Sequence, residues 1–324
     1  MLERLSRILA ITAIAGAVAG CHSAPSGTAC NGHDQLCARP YDQVVFPGTH
    51  DAYSNAAENF GAPDQSYPMS RQLADGVRVL HLEIYDDAGV VSLCHSVCAV
   101  GSKPLLDGFK EIRTFVAAHP REVVTLLMES SQVSSDRIAQ AMKASGLQAF
   151  VHPQALGAPW PTLAELVNQG DRVVVFLADM TATGGPSYPW LLDRWKWTWE
   201  TPWNNKTAAD FSRCDADRGT MGNDLYVVDT YLEDLLLPTV EQAKRVNTNP
   251  FLSDRLAHCQ AVAARLPNFV MVNYYEVGDL FHDVDILNGL APPTGDDLDA
   301  FPPDWNDASA SLPDGGATDG GATD

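Results

Sequence analysis

An apolar stretch that ends in a glycine and then supplies a histidine and a carboxylate constrains the fold of this 324-residue chain most strongly. It runs over residues 44–52 and places His50 directly before Asp51. Three later stretches, also rich in apolar residues, each carry an ionisable residue at or near the end. These residues are Glu83, His95 and Glu129. The pattern predicts four early β-strands with chemically active side chains at their carboxyl ends.

Strand patterns and helix patterns alternate along the rest of the chain. Such alternation predicts an α/β fold with a parallel sheet, and about seven strands in roughly 250 residues favour a TIM-type (β/α) barrel. We expect one domain over residues 41–290, with a barrel that is complete, incomplete or distorted. The predicted helices are 105–118, 134–144, 162–170 and 250–266, and the later strands are 172–179, 225–230 and 268–275.

The first twenty residues predict a targeting signal. Two arginines precede the apolar run 8–18, which is too short for a membrane-spanning helix. Residues 18–21 read Val-Ala-Gly-Cys, a lipobox pattern that predicts cleavage before Cys21 and its lipidation. The protein would then be exported and anchored to a bacterial membrane, on its periplasmic or cell-surface side, with 21–40 as a tether and short disulfide loop. Cleavage of an ordinary signal peptide nearby is the alternative.

Six cysteines follow the predicted lipidation site, an even number that is typical of disulfides in an exported protein. Local spacing favours two pairs and elimination leaves a third. The rival interpretation is a metal site built from Cys94, His95 and Cys98. The favoured pairs are Cys30 with Cys37, Cys94 with Cys98, and Cys214 with Cys259.

The charge of the chain limits its partners. A net charge of -20 at pH 7 argues against nucleic acid, because phosphate binding depends on clustered lysine and arginine. The same charge gives no long-range attraction toward anionic lipid, so local groups would have to hold an anionic substrate. Residues 291–324 contain eight aspartates and no lysine or arginine, which predicts a disordered acidic tail.

Short motifs occur in a particular order between residues 42 and 129. They comprise Pro47 to Asp51, Gln72 to Arg78, Leu93 to His95, and Phe115 to Val124. In this order they resemble the X domain of phosphatidylinositol-specific phospholipase C. Segments 218–219, 249–252 and 267–275 look like the C-terminal half of bacterial exported members, so the resemblance covers most of the mature chain.

Cleavage of a phosphodiester beside a free hydroxyl needs a base, an acid and positive charge for the phosphate. Two histidines can divide the proton transfers because the pKa of imidazole lies near neutrality. The resemblance implies that His50 is the base acting on the inositol 2-hydroxyl and that His95 is the acid toward the diacylglycerol oxygen. Arg78 suits the phosphate. The candidate substrate-binding residues are Lys103, Tyr274 and Tyr275.

The resemblance also bears on a metal. Metal-free bacterial members carry Asp-x-Arg in the second strand, which this chain lacks. Calcium-dependent members carry carboxylates at the ends of the second and fourth strands, which Glu83 and Glu129 match. With Asp51 they would offer oxygen ligands to Ca²⁺. His81 departs from that pattern, because such relatives usually carry a carboxylate there. In the alternative interpretation, Glu83 and Glu129 only orient Arg78.

Two functions are consistent with these observations. The first is a monomeric, lipid-anchored phosphodiesterase that cleaves phosphatidylinositol-like lipids with the help of a divalent cation. The second is a non-catalytic or differently specific cell-surface barrel that binds phosphorylated polyols or lipid headgroups. His81 and Asn273, where relatives often have aspartate, leave the second open. Five tryptophans between Trp190 and Trp203 would either meet a membrane or sugar ring, or form a lid on the barrel rim.

Overall fold

One curled sheet organises the computed structural model, which describes residues 27–95, 97–179, 188–233 and 238–293. The predicted signal peptide, the lipidation site at Cys21 and the acidic tail from residue 294 onward lie outside these residues. No described helix is both long and apolar enough to cross a membrane.

The strands are β1 (Phe46–Thr49), β2 (Val79–Asp87), β3 (Val90–Leu93), β4 (Lys103–Pro104), β5 (Val124–Ser130), β6 (Val173–Asp179), β7 (Leu191–Asp193), β8 (Thr198–Glu200), β9 (Arg218–Gly219), β10 (Leu225–Asp229) and β11 (Phe269–Val272). The helices are α1 (Met69–Asp75), α2 (Leu105–Ala118), α3 (Ser135–Ser145), α4 (Leu163–Gln169), α5 (Arg194–Trp197), α6 (Val240–Asn247), α7 (Phe251–Ala263) and α8 (Leu280–Leu287).

The strands lie in the order β7-β6-β5-β2-β1-β11-β10-β8-β9, and all neighbours in this path are parallel except β8 and β9. Within the described residues the path ends at β7 on one side and at β9 on the other, and the short helix α5 connects β7 to β8. The single-domain α/β barrel predicted from the sequence is therefore confirmed, in its incomplete form.

The third predicted strand is not part of the barrel wall. β2 continues past Glu83, and β3 returns antiparallel to it, with Leu93 opposite Ile84. The backbone N–H of Cys94 donates to the carbonyl of Glu83 at 3.4 Å. The strand that was expected to run parallel is thus one arm of a hairpin. Because that arm folds back, it still brings His95 beside Glu83.

Strand period decides which side chains face the barrel interior. Val79, Leu127, Phe176 and Phe269 belong to one apolar cluster, whereas their immediate neighbours, such as Leu126, belong to another. Side chains alternate along a strand, so the residues two and four positions after Val79 on β2, and two positions after Leu127 on β5, face the same side of the sheet as the first cluster. The period therefore places His81, Glu83 and Glu129 on the inner side of the sheet, above an apolar layer.

Close approach of the strands beneath the site requires a glycine at position 48. A Cβ atom at Gly48 would collide with the side chains of Met271 and Val79 on the two neighbouring strands. The glycine before the histidine is therefore a packing requirement, which explains why the apolar stretch ends as it does.

The N-terminal segment is folded from Gly27 onward, and it includes the predicted short disulfide loop. The side chain of Asn31 accepts a hydrogen bond from the backbone N–H of Val123 at 2.7 Å and donates to its carbonyl at 3.2 Å. Both groups lie just before β5, at the end of the barrel opposite the predicted site. All three predicted disulfides are present, and the first of them closes this segment.

The tryptophan-rich stretch is mostly part of the core. Trp190, Trp197 and Trp199 are buried, and the ring of Trp199 stacks on that of Tyr226 at 3.8 Å. This stretch therefore does not present five tryptophans to a membrane. The two that stay partly exposed are Trp195 and Trp203.

Candidate active site

Acidic and imidazole side chains converge where β1 and β5 end, beside the middle of β2. β1 pairs with β2, and β2 pairs with β5 in a register that places Glu83 opposite Glu129. His50 follows β1 directly, and its backbone N–H donates to the carbonyl of Val272 on β11 at 3.0 Å. Because parallel strands end at one edge, the sequence brings these groups together as predicted.

Both nitrogens of His50 have defined neighbours. Nδ1 lies 3.0 Å from Oδ1 of Asn273, and Nε2 lies 3.9 Å from Oδ2 of Asp51. The ring stacks on Tyr231 with 4.0 Å between centroids. Burial favours the neutral ring, but the negative charges of Asp51, Asp64 and Glu233 outweigh it and raise the pKa of His50 well above its usual value.

Asp51 lies close to both histidines that were predicted to be catalytic, 3.9 Å from His50 and within 4.8 Å of His95. It adopts a positive φ of 39°, and its Oδ1 lies 3.0 Å from Nδ1 of His81. Its Oδ2 is buried and lacks a hydrogen-bond partner among the described residues. Burial opposes ionisation, but His50 and His81 overcome it and lower the pKa of Asp51 to about 2. His95 contributes to the same effect.

Glu83 completes a group that could hold a cation. Ligand atoms of Asp51, Glu83 and His95 lie within 4.8 Å of one another. Burial, reinforced by the charge of Asp51, raises the pKa of Glu83 to about 7. Its Oε2 is buried and, within the described part of the chain, has no hydrogen-bond partner. Two unsatisfied carboxylate oxygens side by side fit a divalent cation, because a cation would satisfy both.

Glu129 belongs to a different charge cluster, although it was predicted to be a ligand beside Asp51 and Glu83. Its carboxylate lies 2.6 Å from Nη1 of Arg194 and 3.1 Å from Nη1 of Arg218. Burial alone would raise its pKa, but Arg194, His81 and Arg218 hold it well below its usual range. Among the described residues two groups could hold a metal ion, Asp51 with Glu83 and His95, and Asp51 with His50 and His81, and Glu129 is in neither. Its negative charge is already balanced by the arginines.

Arg78, predicted to bind the phosphate, lies far from this site. It directly precedes β2, five residues before Glu83, which separates the two by roughly 16 Å along an extended strand. Its guanidinium contacts Glu122 at 2.8 Å and the carbonyl of Leu73, and it covers the ring of Phe115. Arg78 is therefore a structural residue at the opposite end of the barrel, and Glu83 and Glu129 do not orient it.

The three predicted substrate-binding residues are engaged elsewhere in the structure. Nζ of Lys103 lies 2.7 Å from both Glu58 and Glu111. The hydroxyl of Tyr274 donates to the carbonyl of Pro63, and that of Tyr275 donates to Asp75 at 2.7 Å. The structure does not bring these three side chains to the cluster around Asp51. They stabilise the loops and helices around the barrel instead.

Several residues of the site were not predicted from the sequence. Asp229 ends β10 and has a buried oxygen, and its pKa is raised to about 7 by burial and by Glu200. The strand-end rule that identified Glu129 could have identified it too. Tyr231 directly follows the predicted strand 225–230 and could have been identified in the same way. Arg194 and Asp64 gave no such signal, because neither lies at the end of a predicted strand.

Comparison with known proteins supports the family that the motifs suggested. The family described as PI-PLC X 1 matches residues 36–288. The chain belongs to the PI-PLC X family. A PI-PLC X domain-containing protein of the fungus Arthroderma benhamiae is 29% identical over 283 residues, which cover 81% of this chain and 90% of the relative. An uncharacterized secreted protein of the same fungus is 28% identical and covers 78% of this chain and 61% of that relative.

Solved structures show the same fold at low sequence identity. A mutant phosphatidylinositol-specific phospholipase C from Staphylococcus aureus has a TM-score of 0.54 at 14% identity, covering 76% of this chain and 93% of that one. The enzyme of that name from Listeria monocytogenes has a TM-score of 0.52 at 12% identity, covering 80% and 98%. The PI-PLC X family member described here thus shares its incomplete barrel with bacterial phospholipases.

Proposed function

We propose that this PI-PLC X family member is a phosphoric diester hydrolase or lyase that cleaves the glycerophosphate bond of phosphatidylinositol-like lipids. The observation that carries the proposal is that both histidines lie close to Asp51. His50 lies 3.9 Å from its Oδ2, and a ring nitrogen of His95 lies within 4.8 Å of a carboxylate oxygen. Two imidazoles close to one carboxylate can serve as base and acid for a phosphodiester bound beside them.

The contacts of His50 suit it to act as the base. Because Oδ1 of Asn273 accepts a hydrogen bond from Nδ1, Nε2 is the nitrogen left to take a proton from the attacking hydroxyl. The ring stack on Tyr231 fixes its plane. His95 is exposed at the start of the hairpin loop, where it can reach the leaving oxygen of a lipid. We assign it the role of the acid.

We further propose that Ca²⁺ assists, held by Asp51 and Glu83. Ca²⁺ prefers oxygen ligands, so His95 would remain free to act as the acid. The bound ion would neutralise charge that builds on the phosphate and lower the pKa of the attacking hydroxyl. The unsatisfied oxygens of both carboxylates support this site. A transition metal would use His95 as a ligand and so remove the acid. Turnover with Ca²⁺ can therefore be compared with turnover with a transition metal, which should be lower.

We also propose that the protein is exported and anchored by lipid at Cys21, and that it acts as a monomer. Three disulfides are typical of proteins in oxidising compartments. One relative is named a secreted protein, and the relatives compared are fungal and, in one case, from Arabidopsis thaliana. The bacterial lipoprotein interpretation rests on the sequence of residues 18–21.

The test is a headgroup-release assay on vesicles of phosphatidylinositol, phosphatidylcholine or a glycosylated inositol lipid. His50→Ala and His95→Ala should each lower the rate by about 10²-fold or more, the usual effect of removing a proton-transfer residue. His33→Ala is the matched control, because that histidine pairs with Asp285 at the other end of the barrel. Saturable binding of inositol lipid without turnover would favour the non-catalytic headgroup-binding barrel.

A further inference from the structure

We propose that Asp64 is a positioning residue for His50 and holds a negative charge beside Nδ1 of its ring during turnover. This inference rests on the proposed role of His50 as the base. Asp64 lies in the loop between β1 and α1, and only 3% of the residue is exposed. Its Oδ1 lies 3.7 Å from Nδ1 of His50. Its other oxygen is buried without a partner among the residues described.

The loop is built to hold the carboxylate at this place. The backbone N–H of Asp64 donates to the carbonyl of Ser54 at 3.0 Å, and its carbonyl accepts from the N–H of Tyr274 at 2.9 Å. The next side chain, Gln65, donates to the carbonyl of His50 at 2.8 Å. Asp64 is therefore fixed on both sides of its backbone, and its loop is bonded directly to the residue that it would serve.

Two groups lie beside Nδ1 of His50, and they affect the ring in different ways. Asn273 accepts the hydrogen bond at 3.0 Å and so orients the ring, but its amide carries no charge. Asp64 carries a charge but lies slightly too far for a good hydrogen bond. Asp51 lies on the Nε2 side and is already bonded to His81. Asp64 is thus the carboxylate nearest to Nδ1, where it stabilises the ring without competing for the nitrogen that takes the proton.

The residue that orients His50 and the residue that carries the charge come from different parts of the chain. Position 273 has an amide, and a carboxylate from another loop lies beside the same ring nitrogen. A charge moved from position 64 to position 273 should therefore serve the same purpose. That substitution pair gives the sharpest test that the site offers, because it conserves the charge and changes only its origin.

The experiment compares wild type with Asp64→Asn, Asn273→Asp and the double variant that carries both. Asp64→Asn should lower kcat on phosphatidylinositol vesicles about 10–100-fold with little change in KM, since ring orientation by Asn273 is kept. The double variant should recover at least half of the decrease in log kcat. Asp215→Asn, which alters an exposed ion pair with Arg213, should leave kcat unchanged.

A second readout does not depend on turnover. The ring ¹H and ¹⁵N signals of His50, assigned by their loss in His50→Ala, should shift in Asp64→Asn and return toward wild type in the double variant. Wild-type kcat in Asp64→Asn, or a folded double variant no more active than Asp64→Asn, would overturn the inference. If neither wild type nor any variant hydrolyses a lipid, the proposed function is wrong. The role of Asp64 beside His50 is still supported in that case if the ring signals shift in Asp64→Asn and return in the double variant.

Discussion

Replacement of Arg194 by methionine, which keeps the side-chain length but removes the charge, is expected to destabilise the barrel. Arg194 joins two carboxylates at the gap between β7 and β8, with Nη1 2.6 Å from Glu129 and Nη2 2.7 Å from Glu200. All three side chains are at most 6% exposed. The substitution would leave two buried anions with one shared cation, Arg218, whose side chain is 30% exposed.

The expected decrease in unfolding free energy follows from the burial of Arg194 and its two glutamate partners. Removal of one partner from a buried ion pair costs about 3–5 kcal/mol, because the other charge stays desolvated and unpaired. Arg218 remains in contact with both glutamates, so we expect a loss at the lower end, about 3 kcal/mol. For a domain of this size each kcal/mol lowers Tm by about 2–4 °C, which gives a decrease of about 6–12 °C.

The pH dependence has a definite sign. The folded-state pKa of Glu129 lies well below its usual value of 4.5, so its ionised form stabilises the fold above that pH, and this contribution is lost as pH falls through the folded-state pKa. Without Arg194 the folded-state pKa of Glu129 rises. The difference in unfolding free energy between wild type and variant should therefore be largest near neutral pH and shrink as the pH falls below 4.5 toward the folded-state pKa of Glu129.

Urea unfolding followed by circular dichroism at two pH values measures both effects. Arg213→Met is the matched control, because the pair of Arg213 with Asp215 is more than half exposed on both sides. An exposed pair contributes at most about 1 kcal/mol, so the control should unfold nearly as wild type does. A loss in Arg194→Met no larger than in the control, or one that grows on acidification, would refute the reasoning about buried charge.

Three further predictions address the metal, the anchor and the disulfides. Excess chelator should lower turnover, and adding Ca²⁺, but not Zn²⁺, should restore it. Glu83→Gln should raise the Ca²⁺ concentration needed for the half-maximal rate. Full activity in chelator, together with no heat of Ca²⁺ binding, would contradict the site. Cys21→Ser should abolish metabolic labelling with a fatty acid, and equal labelling of both proteins would rule out the anchor. Cys214 and Cys259 close a loop of 45 residues, so replacing both by alanine should cost about 4 kcal/mol in urea unfolding; a loss below about 1 kcal/mol would show that the unfolded chain is already restricted.

The sequence by itself determined the strands, their ends and the residues immediately beyond them. The apolar stretch before His50, and those that carry Glu83 and Glu129, could be identified because strand period and chain breaks are local properties. Parallel strands end at one edge of a sheet, so the same pattern predicted that these groups meet. Two of the three disulfide pairs were equally local. Local order along the chain is sufficient for conclusions of this kind.

Only the tertiary structure decided which charges pair with one another. Glu129 lies one residue before the end of β5, near the strand end as predicted, and Arg218 contacts it across 89 positions of sequence, which makes it part of an ion cluster. Asp64 reaches His50 through a loop with no periodic pattern. Arg78, which directly precedes β2, is bonded to Leu73 and Glu122 and not to a group of the site. Charge pairing depends on distances between separate elements, and the packing of the barrel sets those distances.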